Sequence, residues 1–167
     1  LTYKKNLNGN ERIEEGYKSL KKKYNYVVDI QGDEPLVNPN HIDKVIKYHL
    51  KNSDSDIIVP SLKIGETFNE NIVKIVKDNN EKVLYFSRST IPFGFKNKNK
   101  FVDKHLSIIS FKPNALKLFT KSKQTKLEKI EGVELLRALE IGLKIKSPSF
   151  FGDSFSVDVE EDYIKAA

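Results

Sequence analysis

The sequence predicts an α/β layered domain built on a mixed central sheet. Short apolar runs alternate with segments of helical period, two of the runs flank a polar turn as in a hairpin, and 167 residues suit one domain spanning 1–167. Hydrophobic residues at 38% and charged residues at 31% form an ordinary globular balance that excludes wholesale disorder.

The elements follow in order. Ile13 to Lys23 is expected to be a helix leading into a buried strand, Tyr26 to Ile30. Pro39 to Leu50 places Ile42, Val45, Ile46 and Leu50 at helical spacing, with Asn38 as cap and Pro39 in the first turn. Asp56 to Ile64 reads as a strand, and Ile72 to Val76 with Val83 to Phe86 as a hairpin turning at Asp78-Asn79-Asn80. Ile91-Pro92-Phe93-Gly94 breaks regular structure, and His105 to Phe111 is apolar enough for another strand. Pro113 to Thr120 reads as a short helix and Leu127 to Gly142 as a longer one that stops at its glycine, followed by the strand Leu143 to Ser147. Asp158 and Glu161 are spaced as a capping box for a last helix.

Composition narrows the chemistry. With no cysteine, disulfides, thiol nucleophiles and thiolate zinc sites are excluded, and His41, His49 and His105 form no pair at a familiar metal-binding spacing. Hard, oxygen-ligated metals remain. No run approaches the roughly 18 apolar residues of a membrane span, and Leu1 to Asn10 lacks a signal peptide's apolar core, so no membrane partner is expected. The chain has no methionine and opens at Leu1, which leads us to expect the C-terminal portion of a longer protein, with any glycine-rich phosphate loop preceding it. The net charge of +6 gathers in two lysine clusters, Lys96 to Lys104 and Lys117 to Lys126. In the first, Asn97 and Asn99 stand where a base-stacking platform would need aromatics, so a solvated basic surface is expected and no nucleic acid.

Val27-Val28-Asp29-Ile30-Gln31-Gly32-Asp33-Glu34-Pro35 runs an apolar strand into a turn bearing an amide and carboxylates. In open α/β folds ligands collect outside the strands' C-terminal ends, so Asp33 is a candidate magnesium ligand and Gln31 a hydrogen-bonding group for a base or ribose. The alternative is a polar turn closed by Gly32 and Pro35. A second acidic turn, Ser156 to Asp162, offers Asp158 as a partner ligand or as a helix N-cap. Arg88, at the end of Tyr85-Phe86-Ser87-Arg88, suits clamping of a carboxylate or phosphate, or a surface ion pair. His105 reads as a structural histidine unless its strand points it into the same crevice. Glu134 is flanked by apolar positions and is a candidate for a polyol substrate, or for pairing with Arg137 at i+3. No Ser-His-Asp set and no nucleophilic lysine is evident, which favours direct displacement.

Together, Asn8-Gly9-Asn10-Glu11-Arg12, Gln31-Gly32-Asp33-Glu34-Pro35, Val73 to Val76, Leu84 to Pro92, Leu127 to Arg137 and Val157 to Asp162 occur in the order of one family. The chain resembles the 3-deoxy-manno-octulosonate (Kdo) cytidylyltransferases. The resemblance implies a Rossmann-like nucleotidyltransferase fold with its N-terminal part missing here, a homodimer, magnesium, and a cytoplasmic enzyme for lipopolysaccharide or capsule assembly. It implies transfer of CMP from CTP to an acidic ulosonic sugar by in-line attack of the anomeric hydroxyl. Asp33 and Asp158 would hold magnesium, with Arg88 orienting the anion and counted with them as catalytic. Arg88, His105 and Glu134 would contact the sugar, and Gln31 with Gly9, Asn10 and Arg12 the nucleotide. This chain departs from the family at Asn8-Gly9-Asn10, where Ser-Gly-Thr is usual, at Ile109 for a tyrosine and at Leu135 for a glutamine. These changes point to a Kdo-like acid, aminated sugars included, as acceptor. They also raise the alternative of a non-catalytic interaction domain retaining the fold. Without the missing phosphate-binding loop, this chain alone is expected to be inactive.

Overall fold

The structure is a computed structural model and describes residues 9–32, 36–96, 100–152 and 164. Helix α1 spans Gly9–Ser19, followed by β1 (Val27–Ile30), α2 (Pro39–Lys51), β2 (Ile57–Ile58), β3 (Ser61–Gly65), β4 (Lys74–Lys77) and β5 (Val83–Ser87). Then come β6 (Phe101–His105), β7 (Ile108–Phe111), α3 (Pro113–Lys121), α4 (Lys126–Glu131), α5 (Leu135–Glu140), β8 (Ile145–Lys146) and β9 (Ser149–Phe150). Among the described residues the strands form two sheets, ordered β1-β7-β2-β8 and β5-β4-β6-β3-β9. Both are mixed: β2 runs parallel to β8 and β3 to β9, while their other pairings are antiparallel.

Three chain segments pass from one sheet into the other at nearly the same level. β2 leads to β3 through Val59-Pro60, β6 to β7 through Leu106-Ser107, and β8 to β9 through Ser147-Pro148. Two of the crossings contain proline, which has no N–H for a ladder and so ends regular pairing there. The neighbours keep the junction closed: Leu106 N–H donates to Pro60 O at 3.0 Å and Ser61 N–H to Pro148 O at 3.0 Å. Asp56 to Ile64 and His105 to Phe111, each expected as one strand, are therefore two strands each or parts of two, and Phe101–His105 is a strand beyond those expected. The corner is locked by Lys77, whose Nζ donates to Ser61 Oγ, Ser147 O and Ser149 Oγ, each at 2.8 Å.

Alternation along β2 and β7 divides the core. Ile57, Ile109 and Phe111 face a cluster completed by Leu116 and Phe119 of α3 and Leu136 of α5, whereas Ile58 and Ile108 face Val45 of α2. Helices thus cover both faces of the first sheet. α2 starts as expected, with Asn38 Oδ1 accepting the Asn40 N–H at 3.0 Å and Pro39 in its first turn. His49 on its inner face is a satisfied core histidine, bonded to Ser110 Oγ at 2.8 Å and Ser55 O at 3.2 Å. β1 is less buried than expected, with Ile30 43% exposed, because β7 is its sole partner strand among the described residues.

The expected helix Leu127 to Gly142 is two. Gly132 adopts φ 62°, where a side chain is strained, and caps α4 by donating its N–H to Glu128 O at 2.8 Å. The final helix expected at Asp158 and Glu161 lies outside the described residues.

Candidate active site

The break at Gly132, the end of β1, the end of β6 and the start of α1 all border one open cleft of about 870 Å³. The ladder carries β1 one step past its last strand residue, since Gln31 N–H donates to Ser107 O at 3.1 Å. Asp29 and Gln31, two apart on an extended strand, are thereby delivered to the same side and both line the cleft. Gly9, Asn10, Arg88, His105 and Glu134 line it as well, so most of the residues singled out in the sequence meet in one cavity. Arg12 does not: it is exposed on α1 and absent from the lining. Asp33 and Asp158 lie outside the described residues.

Asn10 and Glu134, separated by 124 positions, are joined by a hydrogen bond from Asn10 Nδ2 to Glu134 Oε2. The amide orientation is chemically fixed, because the flipped form would aim Oδ1 at a carboxylate. Asn10 is only 8% exposed, and its Oδ1 is buried with no partner among the described residues. Such an acceptor carries an unmet demand for an N–H or O–H. Glu134 is available because Arg137 is committed elsewhere. Arg137 grips Glu128 with Nε to Oε2 at 2.8 Å and Nη2 to Oε1 at 2.5 Å, and both side chains are 3% exposed. Glu134 and Arg137 share one helical turn, with the Arg137 N–H donating to Glu134 O at 3.0 Å, but the alternative of a Glu134–Arg137 ion pair is not formed because the guanidinium is taken by Glu128.

Arg88 follows β5 at the cleft rim. Its Nε donates to Glu131 O at 2.9 Å, Nη1 to Glu70 O at 2.8 Å and Nη2 to Gly132 O at 3.4 Å. These acceptors are neutral carbonyls, and among the described residues no carboxylate forms an ion pair with it. Among the described residues the alternative of a surface ion pair is thus not met, and the side chain is a cation oriented by carbonyls.

His105 ends β6, with its ring edge-on to Phe86 at 6.2 Å between centroids. Burial, reinforced by the charge of Lys104, pushes its pKa down to about 4. His105 is half-buried and lines the cleft. The imidazole is neutral at ordinary pH and offers one donor and one acceptor, a match for hydroxyl groups.

Asp29, Asn69 and Asn71, not among the site residues expected from the sequence, line the cleft too. For Asp29 the signal was present in its two-residue offset from Gln31. For Asn71 it was the Asn69-Glu70-Asn71 turn, where Asn69 Oδ1 accepts the Asn71 N–H at 2.9 Å. Ile109 and Leu135 also line the cleft, so the apolar substitutions noted in the sequence belong to the site itself. Among the described residues no three histidine or acidic side chains converge to hold a metal, and no helix is long and apolar enough to cross a membrane.

Residues 1–145 match the cytidylyltransferase family. A 3-deoxy-manno-octulosonate cytidylyltransferase of Thermodesulfovibrio yellowstonii is 41% identical over 178 residues, covering 97% of this chain and 69% of that protein. The protein of the same name from Rickettsia prowazekii is 41% identical over 162 residues, covering 95% and 64%. The chain thus spans about two thirds of the length of the curated relatives it matches. Among solved structures, a CMP:2-keto-3-deoxy-manno-octonic acid synthetase complexed with CTP shares the fold, with TM-score 0.89 at 21% identity over 99% of this chain and 68% of that one. The chain belongs to the cytidylyltransferases, in the family of the 3-deoxy-manno-octulosonate enzymes.

Proposed function

We propose that the protein containing this chain transfers CMP from CTP to Kdo or a close ulosonic acid, releasing pyrophosphate, as a step toward lipopolysaccharide or capsule. The observation that carries this reading is the convergence of Gln31, Asn10, Arg88, His105 and Glu134 on one cleft from five separate stretches of chain. The anomeric hydroxyl of the acid attacks the α-phosphorus of CTP; the new P–O bond forms as the α–β phosphoanhydride breaks, and the hydroxyl proton passes to solvent. Arg88, in no ion pair among the described residues, receives the acid's carboxylate. Neutral His105 and Glu134 bond sugar hydroxyls, and Gln31 with the orphan Oδ1 of Asn10 serves the nucleotide. Catalysis on this account is alignment and charge complementarity, with no covalent intermediate on the protein.

Magnesium fits the donor chemistry. The described cleft offers the oxygen donors Asp29, Gln31 and Glu134 and no sulfur, and Asp33 and Asp158 are the proposed ligands. When bound, the ion would offset negative charge on the phosphates. We place the working protein in the cytoplasm, where CTP is available, as a homodimer; sedimentation of the full-length protein checks the latter. A non-catalytic interaction domain would account for apolar Ile109 and Leu135, but not for the polar Asn10, Gln31, Arg88, His105 and Glu134 gathered around one cleft. The test is pyrophosphate release from CTP by the full-length protein across a panel of ulosonic acids. Release with at least one is expected, and none with any acid rejects the proposal.

A further inference from the structure

We propose that Glu131 is a positioning residue for Arg88, an inference that rests on the reading of Arg88 as the group receiving the acid. Its carboxylate does not touch the guanidinium. Oε2 accepts the Arg88 main-chain N–H at 3.0 Å and Oε1 accepts Ser87 Oγ–H at 2.8 Å, so its charge is directed to the chain that carries the arginine. The same residue's carbonyl takes Arg88 Nε at 2.9 Å, gripping both ends of Arg88.

The cradle has two further parts. Because Gly132 ends α4 in the left-handed conformation, the carbonyls of Glu131 and Gly132 turn toward Arg88, at the helix end where a cation is favoured. On the opposite side Lys74, fully buried, donates from Nζ to Arg88 O at 2.5 Å and to Asn69 O at 2.7 Å. Arg88 is therefore fixed at its N–H, its C=O and its side chain by groups that, among the described residues, form no ion pair with its guanidinium, and on this reading its remaining guanidinium N–H groups meet the anion. A carboxylate placed against the guanidinium would have neutralised it; Glu131 is placed to orient it instead.

The test uses the full-length protein and steady-state pyrophosphate release, with CTP and Kdo varied in turn. Glu131→Ala should raise the KM for the acid about tenfold, the weight of one hydrogen bond to a charged group, with kcat and the KM for CTP unchanged. Glu131→Gln, which keeps the shape, should recover part of the loss. Arg88→Ala should raise the acid KM further, and adding Glu131→Ala to it should cost nothing more, since Glu131 acts through Arg88. An unchanged acid KM in Glu131→Ala, additive losses in the double variant, or a parallel rise in the CTP KM would each overturn the inference. Should Glu131→Ala not fold, Glu131→Gln carries the same cycle with the same outcomes. Wild-type protein that turns over no ulosonic acid fails at the earlier step, and rejects the reading of the site along with the inference.

Discussion

Replacing Glu128 by alanine isolates the buried pair that frees Glu134 for the cleft. In the native protein the Arg137 guanidinium meets Glu128 through two bonds, at 2.8 and 2.5 Å, with both side chains 3% exposed. Removing the carboxylate leaves Arg137 with the Phe119 carbonyl at 3.4 Å, the Ser122 carbonyl at 3.3 Å and the Phe119 ring at 4.5 Å. None of these cancels its charge. A buried ion stripped of its partner costs about 3–5 kcal/mol. Glu128 Oε2 also accepts the Thr125 N–H at 3.1 Å, so the start of α4 loses a cap, which places the variant in the upper half of that range. For a domain of this size the loss corresponds to a fall in Tm of roughly 8–20 °C. Urea unfolding of the full-length protein, followed by far-UV circular dichroism, reads the change as a lower midpoint at constant slope. Replacing both partners with methionine should restore most of the stability, because the penalty belongs to the uncompensated charge. A loss below about 1 kcal/mol in Glu128→Ala would refute the reasoning, since an exposed pair contributes no more than that.

Two other expectations follow from the cleft. His105, with its pKa lowered by burial to about 4 against an ordinary 6.5, binds fewer protons folded than unfolded between those values. Stability should therefore be complete above about pH 6.5 and decline as pH falls toward 4, and the imidazole C–H resonances should titrate near 4 by NMR; a midpoint near 6.5 contradicts the burial argument. Asn10→Ala removes the donor to Glu134 and the orphan acceptor together, so KM should rise about three- to tenfold for both substrates, whereas Glu134→Gln should raise it for the acid alone. An acid KM unchanged in Asn10→Ala would break the link between the two residues.

What was legible in the sequence was local. Asn38-Pro39 announces α2 because a cap and a first-turn proline act within one turn, and the Asp78 turn announces the β4–β5 hairpin through its own side chain, which accepts the Asn80 N–H at 2.8 Å. The bends at Pro60 and Pro148 were not read, since an apolar run looks continuous whether it stays in one sheet or passes into another. Gly132 was passed over for a similar reason: Leu127, Ile130, Leu136 and Leu139 continue one apolar pattern across it, and Gly142, with φ 83°, supplied a second stop further on. The i+3 spacing of Glu134 and Arg137 holds on the helix, but Arg137 turns instead to the buried carboxylate of Glu128, on the helix before Gly132, a partner that spacing along one helix does not announce. Asn10 and Glu134 were each nominated, but not their contact, which only the tertiary fold creates.

The central claim is that this cleft brings CTP and an acidic sugar together. Its most direct measurement is pyrophosphate release by the full-length protein with CTP alone and with Kdo added, in the presence of magnesium. Release that requires the sugar and matches CMP–sugar formation mole for mole is expected. Release from CTP that is indifferent to every ulosonic acid, or no release at all, would contradict the account.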